Sequence, residues 1–226
     1  MALIKKILPG SFKEKIKSIN RERRLAAAMR QLTSSGPTTQ ILAELESAWG
    51  DDGFRAVGGY VEEVAHWATE ARGPVLEIGS GLTTLILGAL VGSRGLPVWT
   101  LEHHPEFFSY TEETLRPHGL RNVHLTLAPL RDYGEFCWYD PPLDKLPRDF
   151  SLVIADGPPG EVKGGRFGLL PALRSHFAPG VVVLLDDAER EKEKAVLQKW
   201  ESEYGLAHQS RSRNGKAWAI CRFSEE

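Results

Sequence analysis

The sequence predicts an α/β fold: a doubly wound, mostly parallel sheet with helices on both faces. Three observations carry that prediction. From residue 75 to residue 203, short apolar runs alternate with segments of helical periodicity, which is the order of β/α units in a parallel sheet. One run, Val181–Leu185, is an uninterrupted β-branched and leucine stretch, as expected of a strand buried on both faces. Asn214-Gly215 separates two final segments at about 206–212 and 216–223 and is a strong hairpin signal.

The elements follow in order. Pro9-Gly10 breaks whatever precedes it. Ser11-Phe12-Lys13-Glu14 has capping-box form, and Phe12, Ile16 and Ile19 follow at helical spacing, so a basic helix is expected over about 11–32. Ser34-Ser35-Gly36-Pro37 is a linker. Helices are expected at about 38–49 and 54–71; in the second, Val57, Val61, Val64 and Ala68 share one face. Arg72-Gly73-Pro74 ends it. The predicted strands are 75–78, 98–101, 123–127, 150–155 and 181–185. The predicted helices between and after them are 82–91, one beginning at Pro105, 166–177 and 187–203, with a long loop over about 129–149. Five strands and the terminal β-hairpin make a Rossmann-like, seven-stranded sheet preceded by N-terminal helices.

Bulk properties narrow the class. The 226 residues suffice for one well-buried domain plus an appendage, and 42% hydrophobic with 26% charged residues is ordinary for a globular protein. A net charge of −2 argues against nucleic acid as a partner. The charge is uneven: residues 1–30 hold nine Lys/Arg and two acids, about +7, so the rest carries about −9. The basic helix is expected to pack against the domain or a partner subunit, with contact to a membrane surface as the other reading. Cys137 and Cys221 lack zinc or redox spacing, which fits a reducing cytoplasm. No apolar run approaches the roughly 20 residues a membrane span needs.

The most informative stretch is Val75-Leu76-Glu77-Ile78-Gly79-Ser80-Gly81-Leu82-Thr83-Thr84. It reads as a strand, a Gly-x-Gly turn and a helix start, which lets backbone approach a ligand and points helical N–H groups at it. That is a nucleotide-type site at the carboxyl end of a first parallel strand. Glu77, two residues before the first glycine, suits a ligand with a positively charged amino group. Glu102 ends the second strand, 21 residues after Gly81; a carboxylate there can accept both hydroxyls of a ribose. His103 and His104 follow it.

These features, a polar turn after the fourth strand and the terminal hairpin together resemble the class I S-adenosylmethionine-dependent methyltransferases. The resemblance covers roughly residues 54–226 and divides the chain into a basic helical extension (1–36) and a catalytic domain (37–226). It implies that Glu77 and the backbone of Gly79, Ser80 and Gly81 hold the methionine end of S-adenosylmethionine and that Glu102 holds the ribose. His103, Thr84 and Asp156 are expected beside the cofactor. There are departures. Thr83 replaces the third glycine and stands to hydrogen-bond the cofactor carboxylate. The acidic residue often found after the third strand is missing. Adenine recognition then falls to backbone groups at Ala128-Pro129-Leu130 or to Trp138 and Tyr139.

Asp156 follows the fourth strand and Asp186-Asp187 the fifth. Both positions lie at the carboxyl edge, where open α/β sheets bind ligands. Three converging carboxylates need a cation or substrate donors between them, and hard oxygen ligands suit Mg²⁺ or another divalent cation. Here the chain looks like the metal-dependent O-methyltransferases, which implies Asp156, Asp186 and Asp187 as metal ligands. The alternative is that Asp187 caps the following helix and Asp186 pairs with Arg166 or Arg190. Asp156, if not a ligand, is a candidate general base. Lys163 is a second candidate, in the loop where related enzymes keep a base. Arg166, after Gly164-Gly165, is a candidate clamp for a carboxylate or phosphate on a loop that closes over substrate. Asp140-Pro141-Pro142 resembles the motif of base-directed methyltransferases but precedes the wrong strand and lacks the closing aromatic. The expected function is methyl transfer to a hydroxyl of a small molecule or sugar. The rivals are N- or protein methylation, NAD-dependent oxidoreduction and a non-enzymatic binding module; a further copy of the chain is an open partner.

Overall fold

The computed structural model describes residues 10–50 and 58–223. Three helices come first: α1 (Gly10–Ser35), α2 (Thr39–Trp49) and α3 (Gly59–Glu70). Then β1 (Val75–Ile78), α4 (Leu82–Gly92), β2 (Val98–Glu102), α5 (Pro105–Leu115) and β3 (Val123–Leu127) alternate. A small antiparallel pair, β4 (Leu130–Asp132) with β5 (Cys137–Tyr139), precedes β6 (Phe150–Ala155), α6 (Leu169–Leu173), β7 (Phe177–Leu185) and α7 (Glu191–Tyr204). The chain closes with the hairpin β8 (Leu206–Arg213) and β9 (Lys216–Phe223). The seven-stranded sheet runs β3-β2-β1-β6-β7-β9-β8. Its first five strands are parallel and β9 enters antiparallel to β7, as the alternation and the Asn-Gly turn predict.

Strand alternation divides the core in two. Val75, Leu152, Ile154, Val182 and Leu184 face a layer that contains α2, α3 and α4. Leu76, Ile78, Val153, Ala155, Val183 and Leu185 face α6, α7 and the β4–β5 segment. α4 is apolar all round because it is covered twice, by the sheet beneath and by the N-terminal helices above. The extension is not a free appendage: Leu25, Ala28, Met29 and Leu32 recur at helical spacing on α1, are buried, and join the same core as α2 and α4. The basic residues of α1 that turn outward include Arg24, which pairs with Glu44 at 2.8 Å across a solvent-exposed surface, a contact of small energetic weight.

The structure departs from the sequence reading at element edges. The expected helix over 166–177 is broken into a 3₁₀ turn at Gly165–Gly168, the five-residue α6 and another 3₁₀ turn at Arg174–His176. β7 therefore starts at Phe177, where it pairs with Phe150, with a register irregularity before Leu152 pairs with Val182. Pro179 lacks a backbone donor there, so the ladder has to slip. α7 starts at Glu191, not 187, because Asp187 has φ +57° and cannot belong to a right-handed helix. The first part of the helix expected at 54–71 lies outside the described residues, as does the predicted break at Pro9. Among the described residues no helix is long and apolar enough to cross a membrane.

Candidate cofactor and active site

The strand order reverses between β1 and β6, and the carboxyl ends of these strands open on a cavity of about 440 Å³. Open α/β sheets bind ligands at such a switch point. Gly79, Ser80, Gly81 and Thr83 form one wall, Glu102 and His103 a second, and Asp156, Asp186 and Asp187 a third. The elements that supply these walls are the ends of β1, β2, β6 and β7, so the sheet register fixes their spacing.

The turn after β1 is built around Gly79. Its φ is +88°, and a Cβ there would lie 2.9 Å from the carbonyl oxygen of Asp156. Any side chain would both strain the backbone and push the end of β6 away. Gly79→Ala is accordingly expected to cost about 2–3 kcal/mol and to abolish ligand retention in the cavity; thermal denaturation together with calorimetric titration of S-adenosylmethionine checks both effects.

Glu77 lies beneath this turn, fully buried and facing α4 by strand alternation; it backs the turn and is not itself among the residues that line the cavity. Its Oε2 accepts from Thr84 Oγ1 at 2.7 Å and from Thr100 Oγ1 at 2.8 Å, the latter on the neighbouring register position of β2. Thr84 Oγ1 also accepts from the Gly81 N–H at 2.9 Å, so Thr84 links the carboxylate to the glycine turn and does not line the cavity. Glu77 Oε1 is buried and accepts no hydrogen bond of good geometry, although the Thr83 hydroxyl stands close enough to favour the ionised carboxylate. Burial raises its pKa to about 7, and the threonine hydroxyls only partly offset that rise. An orphaned buried carboxylate oxygen needs a proton or a cation.

Glu102 is treated differently. Its Oε2 accepts from the N–H and hydroxyl of Ser80 at 2.8 and 2.9 Å, and its Oε1 from the His104 N–H at 2.8 Å. Burial pushes its pKa up, but hydrogen bonds from His103, His104 and Ser80 outweigh it, and the carboxyl is held below its usual value. Glu102 is thus an ionised acceptor at neutral pH. His103 lines the cavity and its Nδ1 lies 3.4 Å from the Tyr139 hydroxyl.

Of the residues expected near adenine, only Tyr139 lines the cavity. Ala128 is buried, donates its N–H to the Glu102 carbonyl at 2.7 Å and, with Pro129 and Leu130, carries the chain into β4 outside the cavity lining. Trp138 is fully buried in the core. Tyr139 is buried too, but its hydroxyl reaches the cavity past Gly157, where a Cβ would sit 2.4 Å from it. Beyond the glycine turn, Trp49, Phe107 and Tyr110 line the cavity, with Trp49 and Tyr110 edge to face at 5.2 Å. Sequence reasoning passed over them, although Phe107 and Tyr110 stand three residues apart on one helix face.

The carboxylates after β6 and β7 do come together: one oxygen of each of Asp156, Asp186 and Asp187 lies within 4.8 Å of the others. Arg166 enters the same cluster. Its Nη2 donates to Asp156 Oδ1 at 3.1 Å and to Asp187 Oδ2 at 3.0 Å, and its Nη1 donates to the Asp186 carbonyl and lies 4.0 Å from Glu193 Oε1. Lys216, from β9, donates to Asp187 Oδ1 at 3.0 Å, and Arg190 pairs with Asp187 Oδ2 at 2.9 Å. Asp187 therefore does not cap α7; its left-handed backbone aims both oxygens at cations. Burial and the neighbouring carboxylates raise Asp156 well above the usual range despite Arg166, and burial with Asp187 raises Asp186 to about 6. Burial opposes ionisation of Asp187 as well, but Arg166 and Lys216 prevail and lower its pKa. One oxygen of Asp156 and one of Asp187 are held by the guanidinium, so a cation of the chain itself already stands among these carboxylates and the donor set as arranged does not suit a second, divalent one.

Two further expectations change. Arg166 is not a mobile clamp: its side chain is only 3% exposed, wedged among four acids. Lys163 lies outside the cavity and donates from Nζ to the Gly134 carbonyl. Glu193 and Lys216 were not foreseen, since neither belongs to a recognisable motif.

No family model matches the chain, and no curated protein does. Solved structures do. An O-methyltransferase from Bacillus cereus in complex with SAH shares 15% identity, with 90% of this chain and 100% of that one aligned at a TM-score of 0.58. A methyltransferase from Pyrococcus furiosus shares 18% over 91% of this chain and 99% of that one, at 0.55. The SAH-bound methyltransferase of Podospora anserina shares 14% over 84% and 98%, at 0.51. The chain thus has the fold of the class I S-adenosylmethionine-dependent methyltransferases.

Proposed function

We propose that the protein is an S-adenosylmethionine-dependent methyltransferase acting on a hydroxyl of a small molecule or sugar. One observation carries the reading: the buried, unpartnered Oε1 of Glu77 directly under the glycine turn, with an ionised Glu102 on the other side of Ser80. A dinucleotide's pyrophosphate has no use for the first of these acids; an ammonium headgroup does. A side chain at Gly81 would meet nothing within 4 Å, which leaves room for a nucleoside against the turn.

When bound, the cofactor supplies an electrophilic methyl group on its sulfonium. Glu77 would hold the ammonium through Oε1, Thr83 the carboxylate, and Glu102 the ribose hydroxyls, which would take the places of the Ser80 hydroxyl and His103 on its oxygens. The aromatic edge of His103 and Tyr139 borders the nucleoside. Asp156 faces the cavity with Oδ1 held by Arg166. Burial and the neighbouring acids raise its pKa, so in its ionised form it is a strengthened base. Its other oxygen would take the proton of the acceptor hydroxyl as the oxygen–methyl bond forms and the sulfur–methyl bond breaks, S-adenosylhomocysteine leaving. Holding the acceptor in line supplies most of the remaining acceleration. Lys163 has no part in this scheme.

Calorimetric titration with S-adenosylmethionine, S-adenosylhomocysteine and NAD⁺, followed by radiolabelled methyl incorporation into a panel of hydroxylated metabolites and sugars, tests the proposal. Binding of the two sulfur nucleosides but not NAD⁺ is expected, with label recovered as a methyl ether. Binding of NAD⁺ alone refutes it.

A further inference from the structure

The acidic cluster at the carboxyl ends of β6 and β7 has the oxygen chemistry of a divalent-cation site, yet side chains of the chain itself complete it. Four carboxylates, Asp156, Asp186, Asp187 and Glu193, surround one guanidinium, and the Arg166 and Glu193 side chains are 3% and 2% exposed. Two oxygens of different acids, Asp156 Oδ1 and Asp187 Oδ2, converge on the single atom Arg166 Nη2. That is the bridging task a metal performs between ligands. The second oxygen of Asp187 is closed by Lys216.

Arg166 has nowhere to withdraw. It rises from a buried 3₁₀ turn whose Gly168 packs on Trp138, leaving no room for a Cβ. Its Nη1 is tied to the Asp186 backbone, and the Asp186–Ala188 segment is in turn bound to β9 by the Ala188 N–H on the Ala217 carbonyl at 2.8 Å. Moving the guanidinium out would strand Glu193, whose Oε2 already lacks a partner and whose one ion pair among the described residues is with Arg166. Arginine, always charged and forked, suits such a buried role better than lysine.

We infer that Arg166 stands in for the divalent ion: the site neutralises its own carboxylates, excludes a metal, and uses the guanidinium as a positioning group that holds Asp156 and Asp187 at the acceptor. The acceptor half of this inference rests on the methyl-transfer reading; the exclusion of metal does not. Lys216 and Arg190, 41% and 51% exposed, both pair with Asp187 and add further positive charge at the cavity rim.

The test titrates Mn²⁺ into the metal-stripped full chain, read by electron paramagnetic resonance, with thermal denaturation in EDTA and in Mn²⁺ alongside. The wild type is expected to bind no Mn²⁺ tighter than millimolar and to melt at the same temperature in both. Arg166→Met is expected to gain a Mn²⁺ site at least about 100-fold tighter, since a like charge next to the ion is gone. Because that change leaves four buried acids, Arg166→Met/Glu193→Gln, with less stranded charge, is run beside it. A micromolar Mn²⁺ site in the wild type that disappears in Asp186→Asn overturns the inference. So does a folded Arg166→Met chain, single or double, that gains none. S-adenosylhomocysteine binding on the same samples separates the two claims: its absence sinks the methyl-transfer reading alone, whereas Mn²⁺ binding by the wild type sinks only the stand-in role.

Discussion

Glu77→Gln is expected to weaken S-adenosylmethionine binding about 100-fold, the worth of a charge-assisted hydrogen bond in a buried site, while it stabilises the ligand-free protein above pH 7. Both effects have one source. Burial lifts the Glu77 carboxyl from 4.5 to about 7. The folded state therefore holds a proton that the unfolded chain has released between those two values. Stability is lost as pH rises through that window, by about 3 kcal/mol in full above pH 7. Glutamine keeps an acceptor for Thr84 and Thr100 and carries no charge, so this part of the loss disappears. For a chain of this size that is a rise of several degrees in melting temperature at pH 8, with little change at pH 4. The wild type is expected to bind cofactor more tightly as pH climbs through 7, releasing up to one proton per ligand below it. Calorimetry in buffers of different ionisation enthalpy counts that proton. A dissociation constant that ignores both pH and the substitution would remove Glu77 from the site.

Arg166→Met is expected to be the most destabilising single change at the carboxyl edge. Removing one member of a buried ionic network strands the others and costs about 3–5 kcal/mol, on the order of 10 °C in melting temperature here. The loss is expected to fall by a third or more when Glu193→Gln is added, because the two side chains share one network. Lys216→Met, at a partly exposed position, is expected to cost under about 1 kcal/mol. Additive losses for Arg166 and Glu193 would show that the guanidinium is not coupled to the acids around it.

The two predictions mark different depths of sequence reading. The place of Glu77 under the first turn was legible because its signals are local: a four-residue strand, a Gly-x-Gly turn and a helix start lie within ten positions, and each fixes the next. Glu102 was legible by the same logic, one β/α unit later. Legible too were the five parallel strands and the hairpin, since strand alternation and turn chemistry act over a few residues. The fate of Arg166 was not. Gly164-Gly165 reads as a flexible hinge, yet Gly164 packs against Phe136 and the arginine that follows is buried. Lys163 stands three residues away and points elsewhere. Helical spacing on α1 showed that a face existed; it did not say that α2 and α4 would cover it.

What the sequence determined by itself is the order of the strands' chemistry: an acid under the first turn, an acid after the second strand, and three aspartates at the ends of the fourth and fifth. The tertiary structure alone decided which charge answers each of them. Asp156, Arg166, Asp187, Glu193 and Lys216 come from five separate stretches of chain, and electrostatic pairing depends on distance in space, which periodicity and local motif do not encode. Only the closing of β9 against β7 and the tight turn before α6 bring a guanidinium and an ammonium to the place where the carboxylates alone had suggested a metal.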